Sequence, residues 1–343
     1  MDAKSCSINP NPSWGVPTQP SIQLTTYDNL SVAYRILRTL IRPLRPRLVS
    51  PGKPLPAGSP KLSPPATKCT IRERQVAGIY LYKFIANSTQ PVSAEMRKGS
   101  ASHHIFYFAG GGFQSPPSSE HWKFCTEICT QLRDLYEITL VSYPLAPNSP
   151  ASESLPALRN WLRFTVSEAA LKGTNMTLMG DSAGGNIALS LGFWWASNVS
   201  NHNARSSIKS IFVISPVTNL RNENQSITEA NKHDPVLTVK LTSDVGKQWA
   251  SNMPLDHADV SPIFSDPSLF KKADIRVHGV VGTHDVLAPD AIKFREACNQ
   301  SGVVGEWLEW KGQMHCFPLA FPYALPEGKR GKEWVLAVLR RNA

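Results

Sequence analysis

The strongest constraint on the fold is a repeated alternation of short apolar runs with helical stretches. Six runs have the length and composition of buried strands, at residues 103–108, 137–147, 175–180, 207–215, 275–282 and 306–310. Stretches of helical character lie between them, for instance at 151–169, 183–198 and 288–301. Because strands that are buried on both faces read as continuous apolar runs, this alternation predicts an α/β fold. Its sheet should be mostly parallel, with helices on both faces.

Composition and charge narrow the range of partners. The chain has 343 residues, 41% of them hydrophobic, which is enough for a large core. Its formal net charge is +10, but the basic residues are scattered and no zinc-finger or aromatic RNA-binding motif accompanies them, so no nucleic-acid partner is expected. The beginning, "MDAKSCSINPNPSW", lacks the apolar core of a secretory signal, and no apolar run is long enough to span a membrane. A cytoplasmic location is therefore predicted.

Residues 31–48, "SVAYRILRTLIRPLRPRL", predict an amphipathic helix that ends near Pro43 and Pro46. One stripe of this helix is apolar and consists of Ala33, Ile36, Leu37, Leu40, Ile41 and Leu44. Such a stripe fits either peripheral contact with a membrane or packing against the rest of the protein. We prefer packing against the protein.

The segment "GDSAGGN" at 180–186 follows one of the apolar runs and precedes a helical stretch. G-x-S-x-G in this context is typical of a strand-to-helix turn that exposes a serine nucleophile. A phosphate-binding glycine turn is the main alternative. Ser182 is therefore the candidate nucleophile, and the positive end of the helix that follows it is expected to point at the developing oxyanion.

A nucleophilic serine needs further oxyanion donors, a base and an acid. Gly111 and Gly112, after the strand at 103–108, lie where a glycine-rich oxyanion loop belongs. His315 lies after the last strand, and Asp285 lies just past the strand at 275–282, which gives the chain order serine, acid, histidine. Asp290 competes with Asp285, but its position suggests a helix cap.

Five stretches in order resemble one branch of the α/β-hydrolase fold, the hormone-sensitive-lipase-like carboxylesterases, which include bacterial family IV and fungal enzymes. They are "FYFAGGGF", "VSYPLAP", "GDSAGGNIA", "DVLAPDA" and "MHCFP". The resemblance implies an eight-stranded, mostly parallel sheet with a helical lid. It also implies Ser182, Asp285 and His315 as the catalytic triad, and the N–H groups of Gly111, Gly112 and Ala183 as the oxyanion hole.

The chain departs from this branch at two positions. Ala109 stands where the branch has the histidine of its "HGGGF" motif, and Pro144 replaces the arginine of "YRLAP". The branch's histidine orients the loop and is not the general base, so the chemistry should survive the change. Cys316 stands where glycine is common, and we interpret it as a small filler residue.

These observations predict an N-terminal segment at 1–66 that contributes lid helices and a linker, and a catalytic domain at 67–343 with a lid insertion at about 219–260. The polar, Asn- and Asp-rich composition of that insertion interrupts the alternation of apolar strands with helical stretches. Phe113 and Trp122, beyond the glycine loop, are expected to contact the substrate. No metal and no organic cofactor are expected.

The predicted activity is serine-dependent cleavage of a carboxylic ester through an acyl-enzyme. An apolar acetyl ester, a lactone or a polyketide thioester or ester is the expected substrate, and the resemblance suggests a place in fungal secondary-metabolite biosynthesis. Two alternatives remain: an acyltransferase or cyclising, chain-releasing enzyme on the same triad, and a non-catalytic small-molecule binding protein of the same fold. The oligomeric state is not predicted.

Overall fold

The computed structural model describes residues 20–45, 52–87, 103–199 and 207–343. Nine strands within these ranges form one sheet, namely β1 (Ile22–Tyr27), β2 (Cys69–Val76), β3 (Ile79–Ala86), β4 (His103–Phe108), β5 (Tyr136–Ser142), β6 (Asn175–Asp181), β7 (Ile208–Ile214), β8 (Arg276–Gly282) and β9 (Gly305–Trp310). Their spatial order is β1-β9-β8-β7-β6-β4-β5-β3-β2. Only β3 runs antiparallel to its neighbours β2 and β5. The predicted mostly parallel α/β-hydrolase fold is confirmed.

The sheet has one strand more than the predicted eight. The additional strand, β1, pairs in parallel with β9, from Ile22 opposite Gly305 to Tyr27 opposite Trp310. Because β1 lies at the edge of the sheet, three of its six positions are exposed, including Leu24. An exposed edge strand needs no continuous apolar run, so the sequence carries little signal for it.

Nine α-helices lie in the described ranges: α1 (Val32–Ile41), α2 (Ser119–Gln131), α3 (Ala151–Lys172), α4 (Ser182–Val199), α5 (Ser226–His233), α6 (Val239–Ala250), α7 (Ser268–Lys272), α8 (Ala288–Gln300) and α9 (Pro326–Arg341). Successive residues of β4 alternate between two cores, with Ile105 and Tyr107 in one and Phe106 and Phe108 in the other. Both faces of the sheet are therefore covered, as predicted. No helix in the part of the chain described here is long and apolar enough to cross a membrane.

Helix α1 packs only part of its predicted apolar stripe on the protein. Tyr34, which the stripe did not include, is fully buried, and Leu37 and Ile41 pack partly against the same core. The Tyr34 hydroxyl donates to the carbonyl of Gly312 at 3.2 Å, and this polar anchor fixes the rotation of the helix. Four apolar residues are left exposed as a result: Val32, Ile36, Leu40 and Leu44.

Helix α1 ends close to Pro43, as the sequence predicted. α1 stops at Ile41, and Pro43 lies in the 3₁₀ turn that follows, while Pro46 lies outside the described residues. Strands β2 and β3 form a hairpin, with Ala77 and Gly78 between them.

The carboxyl ends of the parallel strands meet at one edge of the sheet, which is where α/β folds place their ligand sites. β4 leads into the glycine loop, β6 into Ser182, β8 into Asp285 and β9 into His315. All of the predicted triad residues therefore lie at this edge.

Candidate active site

The turn between β6 and α4 holds Ser182 in a left-handed backbone conformation, with φ of 50°. Non-glycine residues rarely adopt this conformation, and it is kept where the surrounding structure enforces it. Here the close approach of α4 to β4 enforces it, because a Cβ atom at Gly184 would lie 2.0 Å from the carbonyl oxygen of Phe108. The turn thus places Ser182 in the lining of a cavity at this edge of the sheet.

The structure brings together the predicted acid and base. Nδ1 of His315 lies 2.8 Å from Oδ2 of Asp285, which is fully buried. Asp285 Oδ1 accepts a hydrogen bond from the N–H group of Leu287 at 2.9 Å. Asp290, the competitor, lies in the first turn of α8 and accepts from Asn224 at 3.1 Å. The geometry therefore selects Asp285 as the partner of the histidine.

The electrostatics of this pair favour a charged imidazole. Burial lowers the pKa of His315, but the negative charge of Asp285 and the hydrogen bonds with Asp285 and Cys316 together outweigh it and hold the pKa well above its ordinary value. A second carboxyl group, that of Asp234, accepts hydrogen bonds from the N–H groups of Val236 and Val286 at 2.7 and 2.8 Å. Burial and then the charge of Asp285 raise the pKa of Asp234. No motif in the sequence marks Asp234 as a neighbour of the acid.

Ser182 and His315 line the same cavity, but no hydrogen bond joins them in the described structure. Nε2 of His315 instead lies 3.4 Å from Sγ of Cys316, whose own backbone has φ of 49°. Burial raises the pKa of the Cys316 thiol to about 12, so the thiol is protonated at neutral pH. Hydrogen bonds between catalytic groups are often long before substrate binds.

The glycine loop after β4 is fixed at both ends by the segment that resembles "YRLAP". The hydroxyl of Tyr143 donates to the carbonyl of Ala109, and the N–H group of Ala146 donates to the carbonyl of Phe113, both at 2.8 Å. Neither the N–H group of Gly111 nor that of Gly112 donates to any described residue. Two unpaired donors therefore border the cavity beside Ser182.

The middle of the loop is held by the carboxylate of Asp181, which is 2% exposed. This group accepts hydrogen bonds from the Tyr107 hydroxyl at 2.6 Å, the Gly110 N–H group at 3.0 Å and His121 Nε2 at 3.2 Å. Burial raises the pKa of Asp181, but the interaction with His121 and the hydrogen bonds from Tyr107 and Gly110 together outweigh it and lower the pKa. Because a Cβ atom at Gly110 would lie 2.3 Å from Asp181 Oδ2, only glycine allows this contact.

His121 is a site residue that the sequence analysis missed. Its Nδ1 accepts a hydrogen bond from the N–H group of Ser118 at 2.9 Å, so Nε2 carries the proton and donates to Asp181. His121 also occupies the third position of α2, where a capping box usually has Glu or Gln. The spacing of Ser118 and His121 was the available signal, but it predicts a helix start and not a contact with Asp181.

The cavity has a volume of about 420 Å³, within the range of small-molecule sites. One wall is apolar and comes mainly from the predicted lid insertion, through Leu220, Val236, Leu237, Leu241 and Val245. Phe113 lines the cavity and stacks face to face on Trp249, with ring centroids 4.5 Å apart. No described residue of α1 lines it.

Trp122 does not occupy the position expected of a substrate contact. Its ring packs against Tyr82 and Phe84, at centroid distances of 5.6 and 5.8 Å, and it is absent from the described lining of the cavity. The reason is helical phase: Trp122 follows His121 in α2, and when His121 faces Asp181, the next side chain points into the core.

Comparison with known proteins agrees with the fold. The sequence model described as "alpha/beta hydrolase fold" matches residues 105–319. No curated protein matches the chain. Similar solved structures include an esterase/lipase from an uncultured bacterium (TM-score 0.69, 21% identity, 91% of this chain and 98% of that chain). A hormone-sensitive lipase from a metagenome library is also similar (TM-score 0.67, 17% identity, 90% and 92%), as is EstE5 from a crystal soaked with ethyl alcohol (TM-score 0.70, 22% identity, 91% and 98%).

Proposed function

This chain belongs to the alpha/beta hydrolase fold family, and we propose that it is a serine hydrolase that cleaves carboxylic esters. The observation that carries the proposal is the His315–Asp285 pair, joined at 2.8 Å, at the same cavity as Ser182 in its strained turn. The solved esterases and lipase that share the fold support it.

In the proposed reaction, Ser182 Oγ attacks the acyl carbonyl carbon and His315 Nε2 accepts the hydroxyl proton. Asp285 holds Nδ1 of His315 and stabilises the imidazolium. The N–H groups of Gly111, Gly112 and Ala183 donate to the oxyanion. The imidazolium then protonates the leaving alcohol, and water hydrolyses the acyl-enzyme by the same route.

The contact between Cys316 and His315 gives this reaction one requirement. Nε2 of His315 has one lone pair, and for proton transfer it has to accept from the Ser182 hydroxyl and not from the Cys316 thiol, which also has Asp181 Oδ2 and the carbonyl of Ile214 within reach. The exchange breaks a weak hydrogen bond to sulfur and forms a stronger one between oxygen and nitrogen.

The apolar wall and the volume of the cavity favour a small apolar acyl group, as in an acetyl ester or a lactone. Phe113 is proposed to contact this group, and Trp122 is not. A role in secondary-metabolite biosynthesis, a polyketide substrate and a cytoplasmic location stay predictions.

Hydrolysis of a series of p-nitrophenyl esters tests the proposal. We expect turnover of the acetate and butyrate and little of the palmitate, because the palmitoyl chain exceeds the cavity. Product analysis should find the free acid. An acyl group transferred to an added alcohol without release of acid would favour the acyltransferase alternative. Tight binding without turnover would favour a binding protein.

The Asp181–His121 contact predicts a graded effect on turnover. His121→Leu should lower kcat by about tenfold to a hundredfold with little change in KM, because the carboxylate that holds Gly110 loses a donor. His121→Gln should keep most of the activity, since an amide can accept from Ser118 and donate to Asp181. Steady-state kinetics of both variants check this expectation. Equal loss in both would show that the imidazole does more than hold the loop.

The raised pKa of His315 predicts an alkaline pH profile. Protonated His315 cannot accept the serine proton, so kcat/KM should rise with pH through a midpoint above 6.5. The same shift stabilises the fold below pH 6.5, and this contribution is lost as the pH rises through the folded-state pKa. His121→Gln should leave the midpoint unchanged. A midpoint at or below 6.5 would contradict the influence assigned to Asp285.

A further inference from the structure

One side of α1 and the turn after it carries a continuous row of exposed apolar side chains. We call this row the apolar ridge, and it consists of Val32 (70% exposed), Ile36 (56%), Leu40 (66%) and Leu44 (48%). Their spacing of four residues places them one above another along the helix. Single exposed apolar residues are ordinary, but a contiguous row typically marks an interaction surface.

Basic side chains flank the apolar ridge. Arg35 and Arg42 are exposed, and Arg38 and Arg45 are half-buried. None of these four guanidinium groups forms an ion pair with a residue in the described ranges; the described partners are neutral, such as His284 at 2.8 Å from Arg38. Arg38, Arg42 and Arg45 also line a cleft of about 400 Å³ together with Lys232.

Among the described residues, the acidic groups near this surface already have partners: Glu327 accepts from the Ser31 hydroxyl at the start of α1, and the carboxyl group of Asp234 accepts from backbone N–H groups. Glu229 on α5 is exposed, but it already pairs with Lys232 at 2.8 Å and with His233 at 3.0 Å. The surface therefore combines apolar side chains with unneutralised positive charge, on a chain whose formal net charge is +10. An anionic partner with an apolar interior complements both features.

We propose that the apolar ridge and its arginines dock the protein on the surface of an anionic membrane. The ridge enters the boundary between headgroups and acyl chains, and the arginines bind lipid phosphates, as in other interfacial amphipathic helices. A second copy of the chain fits less well, because a two-fold contact through the ridge would bring the same unpaired arginines together.

The inward side of α1 connects this surface to the active site. Tyr34 bonds to Gly312 in the loop before His315, and Arg38 bonds to His284, the residue before Asp285. Hydrogen bonds therefore attach the helix that carries the proposed docking surface to the two loops that carry His315 and Asp285.

Sedimentation of the full chain with lipid vesicles tests the proposal. We expect binding to phosphatidylcholine vesicles that contain phosphatidylserine, weaker binding to phosphatidylcholine alone, and weakening with salt. Ile36→Glu with Leu40→Glu should reduce partitioning at least about tenfold. Arg35→Gln with Arg42→Gln should reduce binding to the anionic vesicles only. Leu171→Glu is the matched control, because Leu171 is 90% exposed on α3 and should have no effect.

The ridge positions are exposed, so thermal unfolding of these variants should match the wild type. Absence of wild-type binding to the anionic vesicles would overturn the proposal, as would equal binding by the ridge variant. Sedimentation velocity tests the alternative that a second copy of the chain covers the apolar ridge. A wild-type dimer that becomes monomeric in the Ile36→Glu, Leu40→Glu variant would assign the surface to that second copy.

Discussion

Ser182→Ala should reduce kcat for ester hydrolysis by about 10⁴- to 10⁶-fold, because the proposed covalent step has no other nucleophile in the turn. The residual rate should exceed that in water, since the N–H groups of Gly111 and Gly112 stay in place. Steady-state kinetics on p-nitrophenyl butyrate, with enzyme concentrations high enough to detect the residual rate, give the measurement.

The fold should tolerate this change. Alanine at position 182 occupies less space than serine, and the hydroxyl makes no hydrogen bond to a described residue. The melting temperature should therefore stay within a few degrees of the wild type. A variant that is well folded and keeps more than a tenth of the activity would remove Ser182 from the proposed mechanism.

Gly110→Ala should have the second-largest effect, with kcat reduced by about a hundredfold to a thousandfold. The new Cβ would lie 2.3 Å from Asp181 Oδ2 and 3.0 Å from Ser182 Cβ, so the glycine loop has to move away from the nucleophile. That movement displaces the two proposed oxyanion donors. Kinetics on the same ester, together with thermal unfolding, measure the displacement and its cost in stability.

Gly52→Ala is the matched control for this substitution. Apart from its two chain neighbours, no described residue has a heavy atom within 4 Å of a Cβ built at Gly52, and its backbone is not in the left-handed region. It should change neither kcat nor the melting temperature. Normal turnover in Gly110→Ala would show that the loop reaches its working position without the Asp181 contact.

The sequence predicted those features that depend on strand ends. β6 is a short strand with six of its seven residues buried, Ser182 follows it directly, and parallel strands bring their carboxyl ends to one edge. Chain order then predicted Asp285 and His315 as the acid and the base, and the structure joins these two side chains at 2.8 Å. Local patterns suffice here because the backbone of the sheet determines where each strand end lies.

The features that the sequence did not predict depend on tertiary contacts. Edge strand β1 lacks an apolar run, and the rotation of α1 is set by Tyr34 and its partner Gly312, far apart in the chain. The contact of His121 with Asp181 joins residues 60 positions apart through a side chain that also caps its own helix. Periodicity and propensity carry no information about such pairs.

Ala109 illustrates the same limit at the site itself. Ala109 lacks the side chain with which the histidine of the resembling branch orients the glycine loop. The sequence did not show which other groups hold this loop in place. In the structure, the hydroxyl of Tyr143 donates a hydrogen bond to the carbonyl of Ala109, and the carboxylate of Asp181 accepts one from the N–H group of Gly110. Both are buried contacts within the described part of the chain.

Mass spectrometry after treatment with a fluorophosphonate probe tests the central claim most directly. An activated serine displaces fluoride from the probe and retains the phosphonyl group, so the label identifies the nucleophile. We expect a single adduct on Ser182 in the wild type and none in Ser182→Ala. An adduct on Cys316, or no adduct on protein that unfolds cooperatively on heating, would contradict the proposed nucleophile.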